Sequence, residues 1–128
     1  TADGIAYYNR ANEKMLLGDF NGAIEDYENS LLIDSNNIST LFTLAEAKTK
    51  VNNIIGALND YSSIIILDST TAKAFYLRGT VEIILEEYDS ACKDFKKAGE
   101  LGYFDAYELI KKYCDPKKKT IKKKDKKK

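Results

Sequence analysis

The sequence predicts an all-α fold, a right-handed superhelical solenoid of three helix-turn-helix repeats closed by a seventh, capping helix. Three observations carry that expectation. Asp3, Asn37, Thr71 and Asp105 stand 34 residues apart, and each has a short side chain able to cap a helix N-terminus. In the same register come the apolar pairs Tyr7 and Tyr8, Leu41 and Phe42, Phe75 and Tyr76, with a small residue four places beyond each first member: Ala11, Ala45 or Gly79. Twelve residues further on Ala23, Ala57 and Ala91 recur, followed by Tyr27, Tyr61 and Phe95. Large, small, small, aromatic across about 20 residues places two helices antiparallel, with the small residues where the backbones cross. One such hairpin cannot bury its own apolar face, but a stack of three with a cap can.

The first predicted helix starts at Asp3 and runs to about Leu17, with Tyr7, Ala11 and Leu16 on its apolar face and Ile5, Tyr8 and Met15 beside them. Gly18 suits the left-handed residue after its end, and Asp19 can cap the next helix. That helix, about Asn21 to Ile33, is expected to bury Ala23, Ile24, Tyr27, Leu31 and Ser30. The second repeat follows the same plan with Asn53 as the cap. Its run Ile64, Ile65, Ile66, Leu67 has strand-like β-branching, and the 34-residue register overrules it. The sixth helix, about Tyr88 to Leu101, is expected to stop at Gly102. A seventh, about Ala106 to Cys114, carries Ala106, Leu109, Ile110 and Tyr113 on one face and is ended by Asp115 and Pro116.

These 128 residues, 44% of them apolar with a single proline, suffice for one helical domain, expected over 1–116. The expected repeats are about 4–37, 38–71 and 72–105, with the cap at about 106–114. The longest aliphatic run, Ile64 to Leu67, is far short of a membrane span. No secretory signal is visible at Thr1, Ala2 and Asp3, so a targeting segment is expected to be removed or never present. The net charge of zero hides a division. Residues 117–128 hold nine Lys and one Asp, a balance of +8, and the body before them is −8. This tail has too little apolar content to fold.

The repeat resembles the tetratricopeptide repeat family, whose motif asks for large, small, alanine, aromatic and small residues at these offsets. The resemblance covers Gly4 to Asp105. The family's leucine at the seventh place is Leu44 only in the middle repeat, with Arg10 and Arg78 in the others, and its terminal proline is Ser35 and Ser69. The resemblance implies a protein-protein interaction module that holds a peptide or a protein partner in a concave groove of first helices. The second, fifth, ninth and twelfth groove positions would be Ile5, Tyr8, Asn12 and Met15; Ser39, Phe42, Glu46 and Thr49; and Lys73, Tyr76, Thr80 and Ile83. Tyr8, Phe42 and Tyr76 would form an aromatic ladder, unless the rings only fill space between helices. The family's chaperone-type carboxylate clamp would fall on Tyr8, Asn12, Thr43, Lys73 and Leu77. Only Asn12 and Lys73 suit a carboxylate, so chaperone tails are not expected as ligands.

Catalysis is poorly served. With no histidine, the chain lacks the commonest general base near neutral pH and the commonest neutral metal ligand, and no glycine-rich phosphate loop is present. Glu86 with Glu87, or Glu25 with Asp26, read as solvated helix surface. No enzyme, cofactor or metal is expected. Asp26, Asp60 and Asp94 share the register, and the expectation is that Arg10 meets Asp26 and Arg78 meets Asp94, while Asp60, opposite Leu44, faces solvent. Cys92 and Cys114 fall on neighbouring helices; they would be a disulfide in an exported protein and buried thiols in the cytosol. The lysine tail supports an alternative function, a polyanion-tethered adaptor on nucleic acid or an anionic membrane surface.

Overall fold

The computed structural model describes residues 2–115, so the expected lysine tail at 117–128, and any polyanion role it has, lies outside the described residues. Seven helices form: α1 (Ala2–Leu16), α2 (Phe20–Ile33), α3 (Ile38–Lys50), α4 (Ile54–Leu67), α5 (Ala72–Ile84), α6 (Tyr88–Glu100) and α7 (Ala106–Tyr113). No strand occurs among the described residues. The aliphatic run of the second repeat is helical, and its alternation of burial follows from that. Ile64 is fully buried on the inner face of α4, while Ile66, part of a turn away, is exposed.

The helix ends repeat with the chain. Gly18, Asn52 and Glu86 each close a first helix with positive φ, at 79°, 63° and 62°. Glycine takes this conformation without strain, whereas the side chains of Asn52 and Glu86 cost on the order of 1 kcal/mol each. The next residue then caps the second helix. Asp19 and Asn53 accept hydrogen bonds from the amides of Gly22 and Gly56, both at 3.0 Å. Among the predicted helix starts, Asn37 caps α3 by accepting from the Thr40 amide at 3.1 Å. Thr71 and Asp105 occupy the cap positions of α5 and α7 without a side-chain cap bond. Asp3 departs from expectation: α1 already begins at Ala2, so Asp3 lies inside the first turn, where its charge complements the helix dipole.

The described residues divide into two compact units that part between Ser69 and Thr70. In the first, α1 packs on α2, α2 on α3 and α3 on α4. Ala11, Ala23, Ala45 and Ala57 are fully buried at the crossings, and Tyr27 lies in a core with Leu44 and Ala47. Ser30, in register with Ile64 and Ala98, is buried and donates its hydroxyl to the Gly4 carbonyl at 2.9 Å. In the second unit α5 packs on α6 and α6 on α7. Gly79 has no room to be alanine, since a Cβ would stand 2.5 Å from the Phe95 ring. Gly99 serves α7 in the same way, with a Cβ falling 2.8 Å from Tyr107. The open question of the cysteines is answered: Cys92 and Cys114 are joined by a disulfide that ties the end of α7 to α6.

Candidate functional site

Charged residues first decide which cations are available to a ligand. Both expected arginine contacts form. The Arg10 guanidinium donates to the two oxygens of Asp26 at 2.8 and 2.7 Å, and Arg78 donates to those of Asp94 at 2.7 and 2.8 Å. Asp26 is almost fully buried and takes a third contact from the Lys14 ammonium at 3.0 Å. The Arg10 hydrogen bond holds the Asp26 carboxyl down at about 2, against a burial cost that pushes the other way.

Asp60 overturns an expectation. It is buried, not solvent-facing, and Lys48 lies 3.0 Å from its Oδ2. Leu44 cannot pair with it, but Lys48, one turn further along α3, can. The contact is a close ion pair without hydrogen-bond alignment, and burial outweighs it, so the Asp60 carboxyl is shifted upward. The signal was in the sequence, because Lys14 and Lys48 are also 34 residues apart. In the third repeat that place holds Glu82.

The first-helix rings share one geometry. Tyr8 leans on Tyr27 at 5.9 Å and 56°, Phe42 on Tyr61 at 6.3 Å and 58°, and Tyr76 on Phe95 at 6.1 Å and 53°. In each pair the second-helix ring is buried and braces a first-helix ring that is half-buried. Tyr76 also meets Tyr103 at 4.6 Å. Tyr8 and Phe42 belong to the first unit and Tyr76 to the second.

Around Tyr8 and Phe42 the predicted positions fall as follows. Ile5 is exposed and, with Tyr8, Gly4, Ser30, Asp34 and Asn37, lines a depression of about 90 Å³. Met15 is half-buried against the core. Tyr27 donates its hydroxyl to Asn12 Oδ1, which fixes that amide and leaves its NH2 group as the donor to offer. Glu46 is exposed. Burial raises both neighbouring phenols, Tyr27 and Tyr61, the latter to about 12, and the nearby Glu46 charge adds to each shift. Ser39 is exposed, and Thr49 spends its hydroxyl on the Ala45 carbonyl. In the second unit Lys73 is exposed, Ile83 is half-buried, and Thr80 donates to the Leu77 carbonyl at 2.7 Å. Among the described residues no helix is long and apolar enough to cross a membrane, and no group of side chains could hold a metal ion.

Helix hairpins in a 34-residue register, with small residues at the crossings and a seventh helix laid on the sixth, define an α-solenoid repeat domain. The repeat is the tetratricopeptide repeat: residues 4–37 match the sequence model of that family. Solved structures agree. The second tetratricopeptide domain of human RPAP3, in complex with the HSP70 peptide SGPTIEEVD, superposes with a TM-score of 0.79 at 28% identity, covering 89% of this chain and 97% of that one. The first such domain of Spaghetti (RPAP3), bound to the HSP90 peptide SRMEEVD, shares the fold with a TM-score of 0.81 at 22% identity, over 89% of this chain and 92% of that one. MamA is similar at 30% identity and a TM-score of 0.77, over 82% of this chain and 58% of its own. No curated protein matches the sequence.

Proposed function

We propose that this chain is a non-enzymatic protein-protein interaction module, with residues 1–116 as its functional domain, that holds a peptide segment or a protein partner against the concave face of its first helices. The contact residues are Ile5, Tyr8, Asn12, Met15, Phe42 and Glu46, with Lys73, Tyr76 and Thr80 at the corresponding places of α5. One observation carries this reading: the half-buried ring at the fifth position of every repeat, braced from behind at 5.9 to 6.3 Å. A braced ring has little freedom left to lose on binding and offers a broad contact. The RPAP3 domain, similar at 28% identity, is solved with a peptide, which supports the same use here. The absence of histidine from the sequence argues against general acid-base chemistry.

The test is a pull-down from native extract with three baits: the full chain, a chain ending at Asp115, and the full chain with Tyr8→Ala, Phe42→Ala and Tyr76→Ala, its helicity checked by circular dichroism. A partner that survives tail removal and high salt but is lost with the ring variant is the expected result. Binding that follows the lysine segment and vanishes as salt rises would overturn the proposal.

A further inference from the structure

The packing of α2 on α3 has both of its halves repeated elsewhere in the chain. Within the first unit Ile24, Tyr27 and Leu31 of α2 pack in a core with Leu44 and Ala47 of α3, and Thr40 and Leu41 beside them are buried. One repeat earlier, the same places of a first helix are Ala6, Tyr7, Arg10 and Glu13 on α1. They lie on the flank opposite Ile5, Tyr8 and Asn12, and that flank stands open among the described residues. Ala6 and Glu13 are exposed where Thr40 and Ala47 are fully buried, and Asp3, Ala6, Tyr7 and Arg10 line a depression of about 380 Å³. Two repeats after α2, the places of Ile24, Tyr27 and Leu31 are Cys92, Phe95 and Gly99 on α6. That stripe is covered by α7. Cys114 is bonded to Cys92, Tyr107 lies so close over Gly99 that a Cβ there would stand 2.8 Å from it, and Tyr113 stacks on Tyr88 at 6.3 Å.

We propose that α7 is a redox-released latch over a stacking face of α6, and that the occupant of the released face is α1 of a second copy of this chain. The latch helix has only eight residues, too few to hold its shape unsupported, and Ala106 is its one fully buried residue, so the bond from Cys114 is its main anchor. Cys92 is buried and Cys114 half-buried, so a dithiol reductant attacks the Cys114 sulfur. Cys92 leaves as a thiolate and takes up a proton. The second thiol of the reductant then displaces Cys114 from the mixed disulfide, so both cysteines end as thiols and the reductant as a disulfide. With α7 displaced, α6 offers α1 of another copy the register positions with which α2 covers α3.

Size and charge fit this occupant. Gly99 stands where α2 has Leu31, and Tyr7 where α3 has Leu41, so the antiparallel pairing of α2 with α3 would bring a tyrosine ring to the glycine that Tyr107 has left. Asp3 and Glu13, both exposed, would come to the parts of α6 that expose Lys96 with Lys97, and Lys93. Arg10 would enter already paired with Asp26, as Arg78 at its register position in α5 is paired with Asp94 while its side chain is 24% exposed.

Sedimentation velocity of the full chain over a range of concentrations, with and without dithiothreitol, tests this. The oxidised chain is expected to stay monomeric and the reduced chain to gain mass as its concentration rises. The double variant Cys92→Ser, Cys114→Ser is expected to associate in either condition. Ala6→Arg, at an exposed position of α1, should weaken the association of reduced chains by about tenfold with circular dichroism unchanged, and so should Tyr7→Ala. Equal mass for oxidised and reduced chains at every concentration would overturn the proposal, as would α7 amides whose hydrogen exchange does not quicken on reduction. Association of reduced chains that both α1 variants leave intact would show a second copy docking by another surface, and α1 would be the wrong occupant.

Discussion

Glu82 on α5 faces Asp94 on α6 at the place where Lys14 and Lys48 face Asp26 and Asp60. Both carboxyl groups are buried, with 9% and 5% of their surface exposed, and Arg78 is already committed to the two oxygens of Asp94. Glu82 Oε1 has no hydrogen-bond partner. Burial first, then the hydrogen bond with Asp94 and its charge, push the Glu82 carboxyl up to about 8; Arg78 opposes weakly and Glu87 in the following turn adds to the rise. Near neutral pH Glu82 therefore holds its proton.

Glu82 makes the second unit pH-sensitive with a definite sign. Its folded pKa of about 8 lies above the ordinary 4.5, so the folded state holds a proton that the unfolded state has released between those values. The stabilisation is complete below 4.5, falls by up to about 1 kcal/mol per pH unit above it, and is gone past 8. Urea unfolding between pH 5 and 9 should show this decline, and Glu82→Gln should flatten it. An unchanged slope in that variant would disprove the assignment. Asp26 works in the other direction: held at about 2, its contribution is present above its ordinary 3.8 and is lost only as pH falls through 2.

Glu82→Lys should stabilise the protein by about 1–2 kcal/mol at pH 8, because it replaces a carboxyl pair with the Arg-Lys-Asp arrangement that Arg10, Lys14 and Asp26 already form. Thermal unfolding compares the two proteins directly. A lower midpoint for the variant would mean that α5 and α6 cannot accommodate the longer side chain.

Gly79→Ala should cost about 1–3 kcal/mol, since the added methyl would meet the Phe95 ring at 2.5 Å. Ala11 and Ala45 are accommodated, fully buried, at the same register of the first two repeats. Adding Phe95→Leu should recover part of the loss in chemical denaturation.

Reducing the Cys92–Cys114 bridge, which closes a loop of 22 residues, should cost about 3 kcal/mol and loosen α7 first. A thermal scan with and without reductant measures it. A Cys92→Ser, Cys114→Ser double variant should match the reduced protein and ignore reductant.

Much of the fold was legible because it depends on residue size and period. Ala11, Ala23, Ala45 and Ala57 mark crossings by smallness alone, α2 to α7 begin within a residue of their expected places, and so do the expected ends of α2, α6 and α7. Arg10 with Asp26 and Arg78 with Asp94 were legible as departures that recur together. Lys48 was not legible at the seventh position, because in the middle repeat the pairing moves one helical turn along α3. That Tyr8, Phe42 and Tyr76 each lean on the second-helix aromatic of their own hairpin was visible only once the helices were packed.

By itself the sequence determined the helices, their hairpin pairing and the cap, since period, turn residues and side-chain volume are properties of the chain read locally. Tertiary structure decided which carboxylates lose water, which phenol spends its proton on Asn12, and that Cys92 reaches Cys114. The reason is physical: desolvation and charge coupling depend on what covers a group and on how far away its neighbours lie, and neither is set by position along the chain.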